Sequence, residues 1–162
     1  MGQSTKSKIL ISVAMAGLTL AGCASTTEPA STSTSTGRAA TATTSSTAQY
    51  LVQNVGDRVF FQTDQSNLDG SARATLRSQA QWLSQNSSVN LIIEGHADER
   101  GTREYNLALG ARRANAVRDF LISEGVNGSR LQTISYGKER PVSLCSEEAC
   151  WSKNRRSVAS IR

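Results

Sequence analysis

The sequence is poor in aromatic, histidine, proline and cysteine residues. Phe, Tyr and Trp together make up 5% of the 162 residues, and there are one His, two Pro and three Cys. A domain with so few rings has a core of small aliphatic side chains, and it offers no row of aromatic platforms to a nucleic acid. One His and three Cys are also few for a zinc site, which commonly takes several such ligands.

Charge, hydropathy and length further limit the classes of protein to which the chain can belong. The chain carries 18 basic and 13 acidic residues, a formal net charge of +5, and its mean hydropathy is −0.35. These values exclude a polytopic membrane protein, and the length suits one domain with additional segments. If Lys6 and Lys8 are removed with a leader, 16 basic residues remain against 13 acidic ones. Such a mild excess does not by itself indicate a nucleic-acid partner.

Residues 1–22 have the features of a secretory signal peptide. Lys6 and Lys8 form a short basic start, and a mostly apolar run follows from Ile9 to Ala21. That run is shorter than the roughly 20 apolar residues of a membrane-spanning helix. Small residues then precede Cys23, as at a cleavage site.

The Leu-Ala-Gly-Cys sequence that ends at Cys23 resembles the lipobox of bacterial lipoproteins. The resemblance implies cleavage before Cys23, thioether lipidation of its sulfur and N-acylation. Several acyl chains, each burying CH₂ groups at about 0.8 kcal/mol apiece, would make a stable membrane anchor. By the sorting rule of these lipoproteins, Ala24 in place of Asp favours the outer membrane. The alternative is an ordinary signal peptide in which Cys23 is incidental.

A linker is predicted after the lipidation site, within residues 23–49. Ala24 to Ala48 is almost entirely Ser, Thr and Ala and contains no large apolar side chain. Such a stretch cannot bury enough surface to offset its ordering entropy, so we expect it to be disordered. Fully extended, it would span at most about 80 Å.

Residues 50–162 are predicted to form one domain of alternating strands and helices. Apolar residues recur at helical spacing in two segments and alternate or cluster in four short ones. This order predicts an α+β fold, a two-layer α/β sandwich with the helices on one face of a mixed sheet. The predicted elements are a strand at Val59–Phe61, a helix at Ser71–Gln85, a strand at Val89–Glu94, a helix from Thr102 to Gly125, and strands at Leu131–Tyr136 and Val158–Ile161.

The second helix is expected to bury a stripe of small and aliphatic residues. Thr102 is a plausible N-cap, and Glu104 would lie favourably in the first turn. Gly125 is a good position for the helix to end. The predicted core stripe consists of Leu107, Gly110, Ala114, Val117 and Leu121.

Four ordered motifs carry a family resemblance. They are IEGHADERG at residues 93–101, YNLALGARRANAV at 105–117, SYGKERP at 135–141 and SKNRR at 152–156. From about Val55 to the last residue, the chain resembles the OmpA-like peptidoglycan-binding domain. Within that family it is most similar to the peptidoglycan-associated lipoproteins.

The resemblance implies a site for the diaminopimelate of the peptidoglycan stem peptide. An Asp after the second strand and an Arg on the second helix match Asp98 and Arg113. A carboxylate can accept hydrogen bonds from the ammonium of this zwitterion, and an Arg can hold its carboxylate with two parallel bonds. Backbone N–H groups at the start of the helix could bind another carboxylate. The sequence departs from the pattern at Thr63, where relatives usually carry Phe. The other matched positions are Asp64, Asn106, Leu109 and Arg112.

The resemblance implies a non-enzymatic tether. The lipid anchor would hold the outer membrane and the domain would hold peptidoglycan, with TolB and the Tol system as partners in cell division and no cofactor or metal. Another OmpA-like lipoprotein that binds the wall but not TolB is one alternative. A wall hydrolase with Asp98 or Glu99 as general acid is another, but it needs a second, suitably placed carboxylate, which the sequence does not identify.

His96 is followed closely by Asp98 and Glu99 and preceded by Glu94, which raises the question of a metal site. It is the only His. In an extended segment, alternation would put His96 and Asp98 on one side and Glu99 on the other. A structural or hydrogen-bonding role for His96 is therefore the prediction.

Cys145 and Cys150 are separated by four residues in what is predicted to be the loop before the last strand. With Cys23 acylated, they are the remaining thiols of a protein in the oxidising periplasm. A disulfide requires their Cα atoms to come within about 7 Å, which the spacing permits if the loop turns back. We therefore predict a disulfide that closes a small loop.

Overall fold

A computed structural model of the chain describes residues 47–162. The predicted signal peptide, the lipidation site Cys23 and nearly all of the predicted linker lie outside the described residues. In the part that is described, no helix combines the length and apolar character needed to cross a membrane.

The described chain alternates strands and helices in the α+β fold that the sequence predicts. It begins with helical residues 47–50, which continue into a π-helical turn at Leu51–Val55. A helix that the sequence did not reveal, α3, precedes the last strand. The elements are β1 Arg58–Phe60, α1 Gly70–Gln85, β2 Leu91–His96, α2 Arg103–Ser123, a 3₁₀ turn Gly128–Arg130, β3 Leu131–Gly137, α3 Glu148–Asn154 and β4 Arg156–Ile161.

The four strands form one mixed sheet in the order β1-β4-β2-β3. The last strand lies in the interior, antiparallel to both β1 and β2, so that Ala159 is paired with Ile93. Strands β2 and β3 are parallel, with Leu91 opposite Leu131. The register between them shifts at Gly95 and His96. This irregularity redirects the chain where β2 leads into the next loop.

Helices α1 and α2 share one hydrophobic core with one face of the sheet. Alternate strand residues such as Leu91 and Ile93 are fully buried against them, whereas Phe60 and Ile134, on the other face, are partly exposed. A sheet covered on one face by helices is the predicted two-layer arrangement. The helical part of the core includes Leu76, Ala80, Leu83, Ala114, Val117 and Leu121.

Helix α2 lies close against β2 because two glycines face each other. A Cβ on Gly95 would lie 1.9 Å from the carbonyl oxygen of Gly110, and one on Gly110 would lie 2.4 Å from the hydroxyl of Ser135. The helix begins at its predicted cap, where the Thr102 hydroxyl accepts from the backbone N–H of Tyr105 at 3.2 Å. The start of α2 is thereby fixed directly beside the end of β2.

The predicted core stripe of α2 is wrong at its first position. Leu107 is 40% exposed, whereas the neighbouring Asn106 and Leu109 are buried. The apolar pattern predicted that Leu107 is buried, but this turn of α2 buries the polar side chain of Asn106 instead. The residues that α2 buries are Asn106, Leu109, Gly110, Arg113, Ala114, Val117 and Leu121.

Cys145 and Cys150 form the predicted disulfide, with their Cα atoms 5.6 Å apart. The expectation that both cysteines lie in a loop is wrong, since Cys150 belongs to α3. Glu147 precedes this helix, and its carbonyl accepts from the backbone N–H groups of Cys150 and Trp151. The disulfide therefore ties the first turn of a short helix to the chain before it.

Candidate functional site

A pocket of about 310 Å³ lies where the loops after β1 and β2 meet the start of α2. Five of the six residues predicted to bind peptidoglycan line it, and Arg112 does not. The residues that line it are Thr63, Asp64, Asp98, Arg100, Gly101, Tyr105, Asn106, Leu109 and Arg113.

Asp98 is a buried carboxylate held by two arginines. Arg100 approaches it at 2.6 Å (Nη2 to Oδ2) and 3.2 Å (Nε to Oδ1), and the backbone N–H of Arg100 adds a third bond at 3.1 Å. Arg155 donates to Oδ2 at 3.4 Å. Burial of Asp98 acts to raise its pKa, but these donors outweigh burial and hold the pKa below its usual range. The carboxylate is therefore ionised at neutral pH.

Arg113 is fully buried and is bonded to backbone carbonyl groups. Its guanidinium donates to Gln65 (2.8 Å), His96 (2.8 Å) and Gln62 (3.1 Å), and its Cζ lies 5.1 Å from the centre of the Phe61 ring. Burial lowers the pKa of Arg113 to about 10, so the group stays charged at neutral pH. Among the described residues no carboxylate forms an ion pair with it.

Arg113 thereby connects the loop after β1 to the end of β2. Its three bonds reach the chain after β1 twice and the end of β2 once. Three of its five N–H donors are used, which leaves one donor on each terminal nitrogen. A buried cation with incomplete pairing and no carboxylate partner is suited to an anionic ligand group.

Asn106 fixes the loop after β2 to the first turn of α2. Its amide donates to the carbonyls of Arg100 at 2.7 Å and Thr102 at 3.1 Å. Both Asn106 and Leu109 are buried, and Leu109 adds an apolar wall. These two predicted residues shape the pocket and carry no charge of their own.

Asp64 and Tyr105 meet at the rim of the pocket. Asp64 adopts a positive φ of 60°, and its carboxylate accepts from the Tyr105 hydroxyl. The Thr63 hydroxyl, at the position where the resemblance led us to expect Phe, accepts from Arg100 at 3.3 Å. Thr63 thus makes a polar contact to a side chain that holds Asp98.

Arg112 does not line the pocket. It is exposed, and its Cζ lies 5.9 Å from the centre of the Tyr105 ring. Its neighbour Arg113 is buried because consecutive helical residues are about 100° apart. The shared motif therefore contains two arginines in different environments.

Sequence reasoning missed Arg100, Tyr105 and Arg155 as site residues. All three fall inside the quoted motifs, so their positions were available. Their contacts were not, since Arg155 reaches Asp98 across 57 positions of the sequence. A search for charged residues in all four motifs would have included the two arginines.

His96 is buried, as a structural histidine would be. Its Nε2 lies 3.3 Å from Glu94, and its ring centre lies 5.6 Å from that of Tyr136. Burial, with the nearby charges of Arg156 and Arg140, lowers the pKa of His96 to about 4. Within residues 47–162, no three His, Cys, Asp or Glu side chains gather as a metal site would require.

Asp98 and Glu99, the two candidates named from the sequence, do not have the properties of a general acid. Such a group needs a raised pKa so that it carries its proton at neutral pH. The pKa of Asp98 is lowered, and that of Glu99 is lowered by hydrogen bonds from Ser146 and Trp151. The lowered pKa values therefore argue against Asp98 or Glu99 as the general acid of a hydrolase.

The sequence comparisons agree with the fold and the motifs. The model of the OmpA family matches residues 60–155. The chain is 53% identical over 157 residues to the peptidoglycan-associated lipoprotein of Mesorhizobium japonicum, covering 97% of this chain and 93% of that protein. It is 52% identical over 156 residues to the protein of the same name from Rhizobium meliloti, covering 96% and 88%.

Solved structures support the same assignment. The crystal structure of the peptidoglycan-associated lipoprotein from Burkholderia pseudomallei has a TM-score of 0.64 at 40% identity, covering 65% of this chain and 90% of that one. The C-terminal domain of Helicobacter pylori MotB, at 22% identity and a TM-score of 0.61 over 65% of this chain and 84% of that one, shares the fold. The chain belongs to the OmpA family, in the branch of the peptidoglycan-associated lipoproteins, and is a non-enzymatic structural protein.

Proposed function

We propose that the pocket binds the diaminopimelate of the peptidoglycan stem peptide, and that the lipidated chain thereby tethers the outer membrane to the cell wall. The observation that carries this proposal is the presence of an ionised Asp98 and an unpaired, buried Arg113 in the walls of one pocket. Opposite charges in one cavity fit a zwitterion better than a simple cation or anion.

Asp98 is the proposed acceptor for the ligand ammonium. Its carboxylate is paired with Arg100, whose side chain is 40% exposed, and with Arg155, whose side chain is 5% exposed. The exposed Arg100 can leave at small cost, because its charge is readily solvated. The ligand ammonium would then take its place, while Arg155 continues to fix the carboxylate.

Arg113 is the proposed partner of the ligand carboxylate. Its two remaining donors can form charge-assisted bonds of the kind that a Lys cannot supply as a pair. Since Arg113 is fully buried, a carboxylate reaches it only if part of the pocket wall moves. The contact between the exposed Asp64 and Tyr105 side chains is the wall contact that we expect to open.

The tether follows from the wall site together with the expected anchor. The relatives are named lipoproteins, and the sequence up to Cys23 has the features of a lipoprotein leader. We propose acylation of Cys23, residence in the outer membrane with the domain in the periplasm, and an extended linker between them. Binding of TolB, within the Tol system that acts in cell division, is proposed from the family resemblance alone.

The wall-binding proposal is tested by co-sedimentation with purified peptidoglycan sacculi. The full-length protein in detergent is compared with Asp98→Ala and Arg113→Ala, and with Arg112→Ala as a control from the same helix. Wild type and Arg112→Ala should pellet with sacculi, and the other two should remain in solution while keeping their helical circular dichroism. Equal sedimentation of all four proteins would contradict the assigned site, and failure of wild type would contradict wall binding itself.

A further inference from the structure

Residues 141–155 form a compact unit, here named the disulfide-closed segment. The Cys145–Cys150 bond closes its middle. The Asn154 amide group joins its two ends, because Nδ2 donates to the Ser143 carbonyl at 2.8 Å and Oδ1 accepts from the Ser143 backbone N–H at 3.2 Å. The Ser143 hydroxyl also lies 2.9 Å from the sulfur of Cys150.

Two side chains of this segment contact the loop that carries Asp98. The Arg100 guanidinium lies over the Trp151 ring, with Cζ 4.1 Å from the ring centre, and the Trp151 indole N–H donates to Glu99 at 3.1 Å. Arg155 donates to Asp98 itself. Of the two arginines that hold the Asp98 carboxylate, Arg155 therefore belongs to the disulfide-closed segment and Arg100 stacks on its Trp151.

Arg155 is fixed from several directions. Its Nε donates to the Phe61 carbonyl at 3.0 Å, its own carbonyl accepts from the Phe61 backbone N–H at 2.9 Å, and it forms an ion pair with Glu148. Glu148 lies in the first turn of α3. The orientation of Arg155 toward Asp98 thus depends on where α3 begins and on its remaining folded.

Helix α3 is too short to be stable without these ties. It has seven residues, whereas isolated helices shorter than about 12–15 residues are marginal in water. The disulfide attaches its first turn, at Cys150, to Cys145. If the bond is opened, the helix is held only by the contacts of Trp151, Asn154 and Arg155.

We infer that Trp151 and Arg155 are positioning residues for Asp98, and that recognition of the ligand ammonium requires the Cys145–Cys150 bond. This inference rests on the proposed function, since it concerns the same pocket. Arg155 would hold one oxygen of the carboxylate in place, and Trp151 would provide a stacking surface for Arg100 beside the site. Without them Asp98 keeps its charge but loses its fixed orientation.

The test compares two ligands by titration calorimetry with the full-length protein in detergent. One is the L-alanyl-D-glutamyl-diaminopimelate tripeptide, and the other is the same peptide with its free side-chain amine acetylated. The proteins are wild type before and after reduction with a phosphine, the double variant Cys145→Ser with Cys150→Ser, Arg155→Lys, Trp151→Ala and Trp151→Phe. Leu144→Ala is the matched control, because Leu144 lies in the same segment and is 88% exposed.

Loss of one oriented, charge-assisted hydrogen bond should weaken binding of the free-amine peptide by about tenfold. Oxidised wild type should therefore prefer the free-amine peptide to the acetylated one. This preference should be lost in four proteins: the reduced protein, the double cysteine variant, Arg155→Lys and Trp151→Ala. Trp151→Phe should retain most of it, and Leu144→Ala all of it. An unchanged preference after reduction, with Arg155→Lys also unchanged, would overturn the inference.

A second measurement separates this inference from the proposed function. In ¹⁵N-labelled protein without ligand, reduction should shift the amide resonances of Asp98 and Arg100 while leaving core amides such as that of Leu121 in place. If oxidised wild type binds neither peptide, the proposed function fails, and these shifts still decide the positioning role. Unmoved Asp98 and Arg100 resonances on reduction would overturn it.

Discussion

At the scale of single residues, the most unusual feature of the pocket is the buried charge of Arg113. Removing a guanidinium from water is costly unless its donors are bonded. Here two carbonyl groups of the loop after β1 and one at the end of β2 accept hydrogen bonds from the guanidinium. The same side chain therefore has a structural effect, in joining that loop to β2, and an electrostatic one, in placing positive charge in the wall of the pocket.

The structural effect predicts a difference between two adjacent arginines. Arg113→Lys keeps the charge but cannot reproduce three diverging bonds, so the buried carbonyl of His96 or the part-buried ones of Gln62 and Gln65 lose their partner, at about 1–3 kcal/mol for a buried group. We expect it to lower the free energy of unfolding by at least about 2 kcal/mol. Arg112→Lys, on the exposed side of α2, should change it by less than about 0.5 kcal/mol. Urea unfolding of both at neutral pH measures this, and equal effects would contradict the account.

His96 predicts a pH dependence of stability. Its pKa of about 4 in the folded protein lies below the 6.5 of a free histidine, so the unfolded chain binds the proton more readily. The free energy of unfolding should therefore be constant above about pH 6.5 and fall as pH decreases from there toward 4, by at most about 3 kcal/mol.

Urea unfolding at pH 7, 6, 5 and 4.5 tests this expectation. Over that range the depressed pKa of Asp98 adds little to the change in the free energy of unfolding. Its stabilising contribution is lost only as pH falls below the ordinary pKa of an Asp carboxyl. In a folded His96→Gln variant, the free energy of unfolding should fall less steeply between pH 6.5 and pH 4.5 than it does in wild type. The same slope in both proteins would show that another group causes it.

At the scale of secondary-structure elements, the contact between α2 and β2 sets the position of the site. Gly95 and Gly110 permit this contact because any Cβ there would meet backbone atoms. Backbone cannot move aside as a flexible side chain can. The separation of α2 from β2 also fixes Arg113 relative to the end of β2.

Gly95→Ala should consequently be strongly destabilising, by about 3 kcal/mol or more, because the helix must shift away from the strand. Gly70→Ala is the matched control, since a Cβ at Gly70, the first residue of α1, meets no atom within 4 Å. It should be neutral or stabilising by up to about 1 kcal/mol. Thermal unfolding followed by circular dichroism compares them. A Gly95→Ala protein that melts like wild type would show that α2 is not tightly fixed.

Much of the fold was predictable because its long elements have regular apolar periodicity. Helices α1 and α2 begin and end within two residues of their predicted limits, and capping residues mark their starts. Helix α3 was missed because seven residues show too little periodicity. Leu107 was assigned to the core wrongly because apolar character alone could not reveal that Asn106 is buried in the same turn.

The candidate site was predictable as a set of positions but not as a set of contacts. The motif resemblance located Asp98 and Arg113, and both line one pocket. Direct pairing between them, which their opposite charges suggest, does not occur among the described residues. Asp98 instead pairs with Arg100 and Arg155, and the second of these contacts depends on tertiary structure that local sequence does not encode.

At the scale of the whole molecule, the proposed tether has two ends that act independently. Cys23→Ser should remove acylation and release the protein from the membrane fraction, while the domain still sediments with sacculi. Asp98→Ala should have the reverse effect, because the membrane anchor is intact and the wall site is not. Cell fractionation followed by immunoblotting distinguishes them. Membrane retention of the Cys23→Ser protein would contradict the lipid anchor.

The central claim is that the pocket recognises both charges of diaminopimelate. Its most direct test is the affinity of the full-length protein, in detergent, for two stem tripeptides that differ in one group. The first contains diaminopimelate, and the second contains lysine, which has the ammonium but lacks the second carboxylate. Wild type should bind the diaminopimelate peptide at least about tenfold more tightly, and Asp98→Asn should bind both weakly. Equal affinity of wild type for the two peptides would contradict recognition of the second carboxylate.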